Sequence, residues 1–155
     1  MRVLVVGAGG HAKVCVESLR DCGHDVVGAV TSDGEPVEGF GVDVVASDAD
    51  LRGALDAIGA DAVFVAVGDN AARAAVVGRA VAGGLVLVNA VSRFAMVSSS
   101  AVLADGVAVM AGAVVPSILK ATQAKTRSCR SGTGATTRPP RVQAGADASA
   151  TERRA

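Results

Sequence analysis

"VLVVGAGGHAKVCV", Val3 to Val16, passes from an aliphatic run through a glycine cluster into a helical pattern. Val3 to Val6 are consecutive branched aliphatic residues, which suit a strand buried on both faces of a parallel sheet. Gly7, Gly9 and Ala12 satisfy G-x-G-x-x-[GA] between that strand and a helix. Glycine there permits a tight turn, and the helix N-terminus offers unpaired N–H groups to a phosphate. The functional reading is a phosphate-bearing ligand held through the N–H groups at Gly9 and Gly10. The plainer reading is a tight strand-to-helix connection that binds nothing. His11 falls in the first helical turn, either as an exposed helix-start residue or with its ring facing the same phosphate. Lys13 reads as solvated.

Outward from this motif the same alternation continues. "DVVGAV" (Asp25 to Val30), "VDVVA" (Val42 to Ala46), "AVFVAV" (Ala62 to Val67) and "LVLVN" (Leu85 to Asn89) are further strand-like runs. His11 to Arg20, Asp50 to Ile58 and Asn70 to Ala82 have helical spacing, with apolar faces expected at Val14, Cys15 or Ser18 and Leu19, at Leu51, Leu55 and Ile58, and at Val76, Val77 and Val81. Strand, helix, strand in this order predicts a doubly wound, Rossmann-like α/β domain over residues 1–90. A dinucleotide site would also want an acid after the second strand, and "AVTSDGE" supplies Asp33, three residues past Val30, and Glu35. Gly68, Asp69 and Asn70 in "VAVGDNAARAAVV" follow the fourth strand at the edge where open α/β sheets bind ligands. Asp69 or Asn70 equally suits the N-cap of the next helix.

Composition narrows the classes. The chain has 155 residues, 50% of them hydrophobic, enough for one core-forming domain and the start of another. Phe40, Phe64 and Phe94 are its whole aromatic supply, which argues against stacking on single-stranded nucleic acid. Residues 1–115 carry 7 Lys and Arg against 13 Asp and Glu, a net −6, whereas residues 116–155 carry 8 against 2, a net +6. Cys15, Cys22 and Cys129 form no C-x-x-C pair, so neither a disulfide framework nor a metal site is expected, and a reducing cytoplasm fits. The short apolar run at the N-terminus suits neither a signal peptide nor a membrane span, so a soluble protein is expected.

A different rhythm occupies "MVSSSAVLADGVAVMAGAVVPSILKATQ", Met96 to Gln123. Val97, Leu103, Val109 and Val115 fall six residues apart, with Ala101, Val107, Ala113 and Leu119 each four residues later. After Val115 the branched aliphatics are only Ile118, Leu119 and Val142. Residues 91–120 therefore predict an incomplete hexapeptide-repeat unit, and residues 121–155 a disordered tail with too little apolar surface to offset its ordering entropy.

"VVGAGGHAKV", "VAVGDNAARAAVV" and "GLVLVNAVSRFAMVSSSAVLADGVAVMAGAVV", in that order and spacing, resemble the NeuD/PglD/VioB-type sugar acyltransferases over residues 1–115. The resemblance implies an N-terminal domain that binds a UDP-sugar or similar nucleotide, here through Gly7, Gly9, Gly10, His11, Asp33, Gly68, Asp69 and Asn70. It also implies a left-handed parallel β-helix that forms a homotrimer, binds acetyl-CoA and carries a catalytic histidine. Three hexads make one coil of such a helix. The family's catalytic histidine follows an "NTGA"-like segment; here Arg138, Pro139 and Pro140 follow "GTGA", Gly132 to Ala135, and the only histidines are His11 and His24. No catalytic residue is assigned, and neither a stable trimer nor acetyl transfer is expected of the isolated chain. The family's His-Pro pair before the repeat is replaced by Ser92 and Arg93, and the Arg-rich tail resembles out-of-frame translation. The alternatives are a sugar-nucleotide-binding module without chemistry, and an NAD-binding oxidoreductase using Gly7, Gly9, Ala12 and Asp33.

Overall fold

A computed structural model of the chain describes residues 1–117 and the backbone of residues 120–121. The tail expected to be disordered lies, from residue 122 onward, outside the described residues. The first strand, β1 (Arg2–Val6), is central because its side chains are apolar on both faces, with Val3 to Val6 all at 1% exposure or less. It pairs in parallel with β2 (Asp25–Thr31) on one side and β4 (Ala62–Val65) on the other, and β3 (Val44–Ser47) extends the sheet beyond β2, giving the order β3-β2-β1-β4. Between them run α1 (Gly10–Asp21), α2 (Leu51–Ile58) and α3 (Asn70–Ala82).

The period-2 alternation of the strands sorts the core into two layers. Val3, Val5, Ala29, Ala62 and Phe64 face α1 through Ala12, Cys15, Val16 and Leu19. Leu4, Val6, Val30, Val63 and Val65 face α2 and α3 through Leu51, Leu55, Val76 and Ala80. Each fully buried Leu, Val or Phe contributes about 1.5–3 kcal/mol of apolar transfer. The α1 layer has an addition: Phe40, from the helix-free connection between β2 and β3, is 6% exposed within it.

Several sequence expectations shift. Val14 and Val81, expected on buried helix faces, are 45% and 59% exposed. The buried stripe of α1 runs instead through Ala12, Cys15, Val16 and Leu19, and that of α3 through Val76 and Ala80, the i, i+4 rows that meet the sheet. "LVLVN" forms only an isolated bridge, Val63 to Leu87, because the chain leaves the sheet at once. Asn89 Oδ1 accepts from Val107 N at 2.8 Å and Ala90 N donates to Val107 O at 2.9 Å, so these residues already belong to the next layer.

That layer is a parallel β-helix of two-residue strands. β5 (Ala90–Val91) pairs with β8 (Ala108–Val109), β6 (Met96–Val97) with β9 (Val114–Val115), and β7 (Val102–Leu103) with β10 (Lys120–Ala121), all parallel. Ala90 opposite Ala108, Met96 opposite Val114 and Val102 opposite Lys120 are each 18 residues apart, three hexads to the turn. Val107 and Val109 point inward, at 6% and 4% exposure, while Met96, Val102 and Val114 stay outside. The C-terminal end of α1 docks on the first strand of this coil: Cys22 Sγ lies 3.3 Å from both N and O of Val91, and Arg93 N donates to Asp21 Oδ2 at 3.2 Å.

Candidate functional site

The carboxyl ends of β1, β2, β3 and β4 open on one cleft of about 570 Å³. Its lining includes Gly7, Gly9, Gly10 and His11 after β1, Asp33 after β2, and Gly68 after β4. Six of the eight expected site residues thus share one cavity. Asp69 and Asn70 do not line it. Asp69 is the N-cap of α3, its Oδ1 accepting from Ala72 N at 2.8 Å, and Asn70 Oδ1 accepts from Arg73.

The glycine turn forms because Gly7, at φ +105°, turns the chain where a Cβ would lie 3.0 Å from Ala66 O. Gly9 then caps α1 with no side-chain bond, and the first intrahelical bond runs from Lys13 N to Gly9 O at 3.2 Å. The N–H groups ahead of it have no helical partner, and the helix adds partial positive charge there. A Cβ at Gly9 or Gly10 would meet no heavy atom within 4 Å. Packing among the described residues therefore does not require glycine at either position, whereas close approach of a phosphate would use both.

Across the cleft, Asp33 is held in a fixed pose. Its Oδ1 accepts from Thr31 Oγ1 at 2.9 Å and from Glu35 N at 3.1 Å. The Glu35 N–H first, and then the Thr31 hydroxyl, hold its carboxyl below the usual carboxylate range. An ionised carboxylate after β2 suits hydroxyl donors of a ribose or an amide of a base. His11 Nε2 lies 3.5 Å from Cys15 Sγ. Burial, and then the positive charge of Arg73, lower the pKa of His11, favouring a neutral ring.

Arg73 and Asp48 belong to the site without any sequence motif to mark them. Arg73 Nη1 donates to Val67 O at 2.8 Å and Gly68 O at 3.3 Å, and Nη2 donates to Asn70, so its guanidinium holds the turn after β4 in shape. Its place one helical turn past Asn70 was the available signal. Asp48 lines the cleft from the end of β3 and pairs with Arg79 at 3.2 Å. Among the described residues no group of His, Cys, Asp and Glu could hold a metal ion, and no helix is long and apolar enough to cross a membrane.

Comparison with known proteins agrees with this architecture. The family model of the PglD N-terminal domain matches residues 2–80. Among solved structures, a histidine-to-asparagine mutant of perosamine N-acetyltransferase from Caulobacter crescentus, in complex with CoA and GDP-perosamine, is 43% identical with a TM-score of 0.68, over 75% of this chain and 54% of that one. PerB from Caulobacter crescentus, in complex with the same two ligands, is 43% identical at a TM-score of 0.66, with 75% and 54% covered. The acetyltransferase domain of PglB from Neisseria gonorrhoeae, in complex with acetyl coenzyme A, is 31% identical at a TM-score of 0.59, over 73% of this chain and 54% of that one. The chain spans about half the length of these structures, with 54% of each covered. No curated protein sequence matches it.

Proposed function

Because the chain belongs to the PglD-type family of sugar acetyltransferases, we propose that its cleft holds a nucleoside-diphosphate amino sugar, the acceptor in acetyl transfer. The pyrophosphate lies at the N–H groups of the glycine turn, and Asp33 meets hydroxyl or amide donors of the nucleoside. Asp69 and Asn70 act indirectly, by shaping the turn after β4. The observation that carries this reading is the pair Gly9 and Gly10, which line the cleft while nothing among the described residues needs their missing side chains. The relatives crystallised with GDP-perosamine support a nucleotide-linked sugar as the ligand class, whether its base is uracil or guanine.

The family's acetyl donor is acetyl-CoA. Among the described residues a cleft of about 360 Å³ between α1 and the coil is lined by Glu17 and Asp21 as well as Arg20 and Arg93, a balanced set of charges that does not single out the phosphates of CoA. General-base assistance is worth about 10²–10⁴ in rate, and the two histidines of the chain are His11, engaged with Cys15, and His24 beside β2. The functional reading is therefore sugar-nucleotide binding by residues 1–90, without acetyl transfer by this chain alone.

Calorimetric titration with GDP- and UDP-linked amino sugars and with NAD tests it. Sugar nucleotides are expected to bind and NAD to bind more weakly; tighter NAD binding would favour the oxidoreductase. Release of free thiol from acetyl-CoA above background, in the presence of a bound amino sugar, would overturn the non-catalytic part.

A further inference from the structure

Cys15 is fully buried in the α1 layer, yet it touches a residue of the cleft. His11 and Cys15 are four residues apart on α1, one above the other on the same helical face. Sγ of Cys15 lies 3.5 Å from Nε2 of His11, within hydrogen-bond distance for a sulfur. We propose that Cys15 is a positioning residue for the sugar-nucleotide cleft: its thiol donates to Nε2 of His11, keeps the ring proton on Nδ1, and leaves that N–H for the ligand.

The direction of the bond follows from the chemistry of the two groups. Burial pushes the Cys15 thiol up to about 12, so the sulfur keeps its proton and has one to donate. A thiol sulfur is a weak acceptor, while the bare nitrogen of a neutral imidazole is a good one, so S–H to Nε2 is the better pairing. In a neutral imidazole the bond made by one nitrogen decides which nitrogen carries the proton. With Nε2 accepting, Nδ1 is the donor. The opposite tautomer would leave a lone pair for the cleft, where an anionic ligand needs a donor. Burial and Arg73 from α3 keep the ring neutral, and the cleft's carboxylates, Asp33 and Asp48, sit at the ends of β2 and β3. The buried, protonated thiol is no nucleophile, so its role runs through His11.

The proposal rests on the reading of the cleft as a sugar-nucleotide site, and the test separates the two. Long-range proton–nitrogen NMR on the full chain, with ¹⁵N-labelled histidine at pH 7.5, reads the tautomer directly. Wild type is expected to carry its His11 proton on Nδ1, Cys15→Ser to retain that pattern, and Cys15→Ala to move the proton toward Nε2. Titration with a GDP- or UDP-linked amino sugar should show Cys15→Ala weaker on the order of five-fold, the scale of one neutral hydrogen bond, and Cys15→Ser close to wild type. A proton on Nε2 in wild type overturns the proposal, and needs no variant to fold. So does wild-type affinity in a folded Cys15→Ala whose tautomer has changed. Wild-type affinity in His11→Ala would instead remove His11 from the ligand's contacts, and with it the premise about the cleft.

Discussion

Replacing the glycines of the first turn one at a time separates what the fold needs from what the ligand needs. At Gly7 an alanine must adopt φ +105° with its Cβ 3.0 Å from Ala66 O and 3.2 Å from Ala66 C, both backbone atoms just past β4. The conformation alone costs about 1–3 kcal/mol, and the backbone contact adds to it, so about 3 kcal/mol is expected. At about 4–8 °C per kcal/mol for a domain of this size, Gly7→Ala should melt at least about 12 °C below wild type. At Gly10, the first residue of α1, the new methyl meets nothing within 4 Å. Alanine gains up to about 1 kcal/mol over glycine within a helix, so Gly10→Ala should melt at or slightly above wild type. Its affinity for a sugar nucleotide should nevertheless fall at least about ten-fold, or 1.4 kcal/mol, because the methyl occupies the path of the phosphate. Circular-dichroism melts and calorimetry read the two effects. If Gly10→Ala binds as tightly as wild type, the glycine pair does not serve ligand approach; if Gly7→Ala melts with wild type, the steric argument at that turn is wrong.

Asp69→Ala removes the cap bond to Ala72 N at 2.8 Å and should lower stability by about 1 kcal/mol, measured by urea denaturation; an unchanged midpoint would mean that α3 starts elsewhere. Phe64→Ala, at a site 1% exposed in the α1 layer, should cost about 3–5 kcal/mol and leave a broadened or absent melt. For His11 and His24 the folded pKa lies below the ordinary 6.5, so the unfolded chain binds protons first as pH falls. Stability is then complete above 6.5 and declines as pH drops from 6.5 through the folded pKa values. Melts at pH 7.5 and 5.5 should show this loss in wild type and less of it in His11→Gln and His24→Gln; an equal loss in both variants assigns it to other groups.

The α/β architecture was legible because β1 and β4 are apolar on both faces, which only a strand between two helical layers requires. The glycine turn was legible for the same reason: it sits where a buried strand meets a helix. Helix faces were less so. Val14 and Val81 have the composition of core residues, and their exposure follows from the rotational phase that Ala12, Cys15 and Leu19, and Val76 and Ala80, take against the sheet. Phe40 gave no periodic signal at all, because it reaches the core from a connection without a helix. The repeat was legible from Val97 onward, but its earlier strand at Ala90–Val91 follows directly on Leu85 to Asn89, a run that reads as a sheet strand, with no hexad spacing yet to mark it. At the site, the cleft-lining glycines, His11 and Asp33 stood out in sequence. Asp69 and Asn70 drew the eye for their position, while their side chains serve the turn; the residue that organises it, Arg73, is an arginine on an alanine-rich helix and looks like a solvated one.

One helix touches both the cleft and the coil. α1 has 12 residues, about 18 Å at 1.5 Å per residue, with the glycine turn at one end and the Asp21 and Cys22 contacts to Arg93 and Val91 at the other. It is thus a caliper: the span from the glycine turn to the first corner of the coil is set by a rigid rod rather than by a loop. Such a span changes only in steps. One residue more or less would move the coil's anchor by 1.5 Å and swing it by about 100°, taking Cys22 off the Val91 backbone. Any chemistry that joins a sugar held at the sheet edge to a group carried on the coil must work at a reach counted in whole residues of α1.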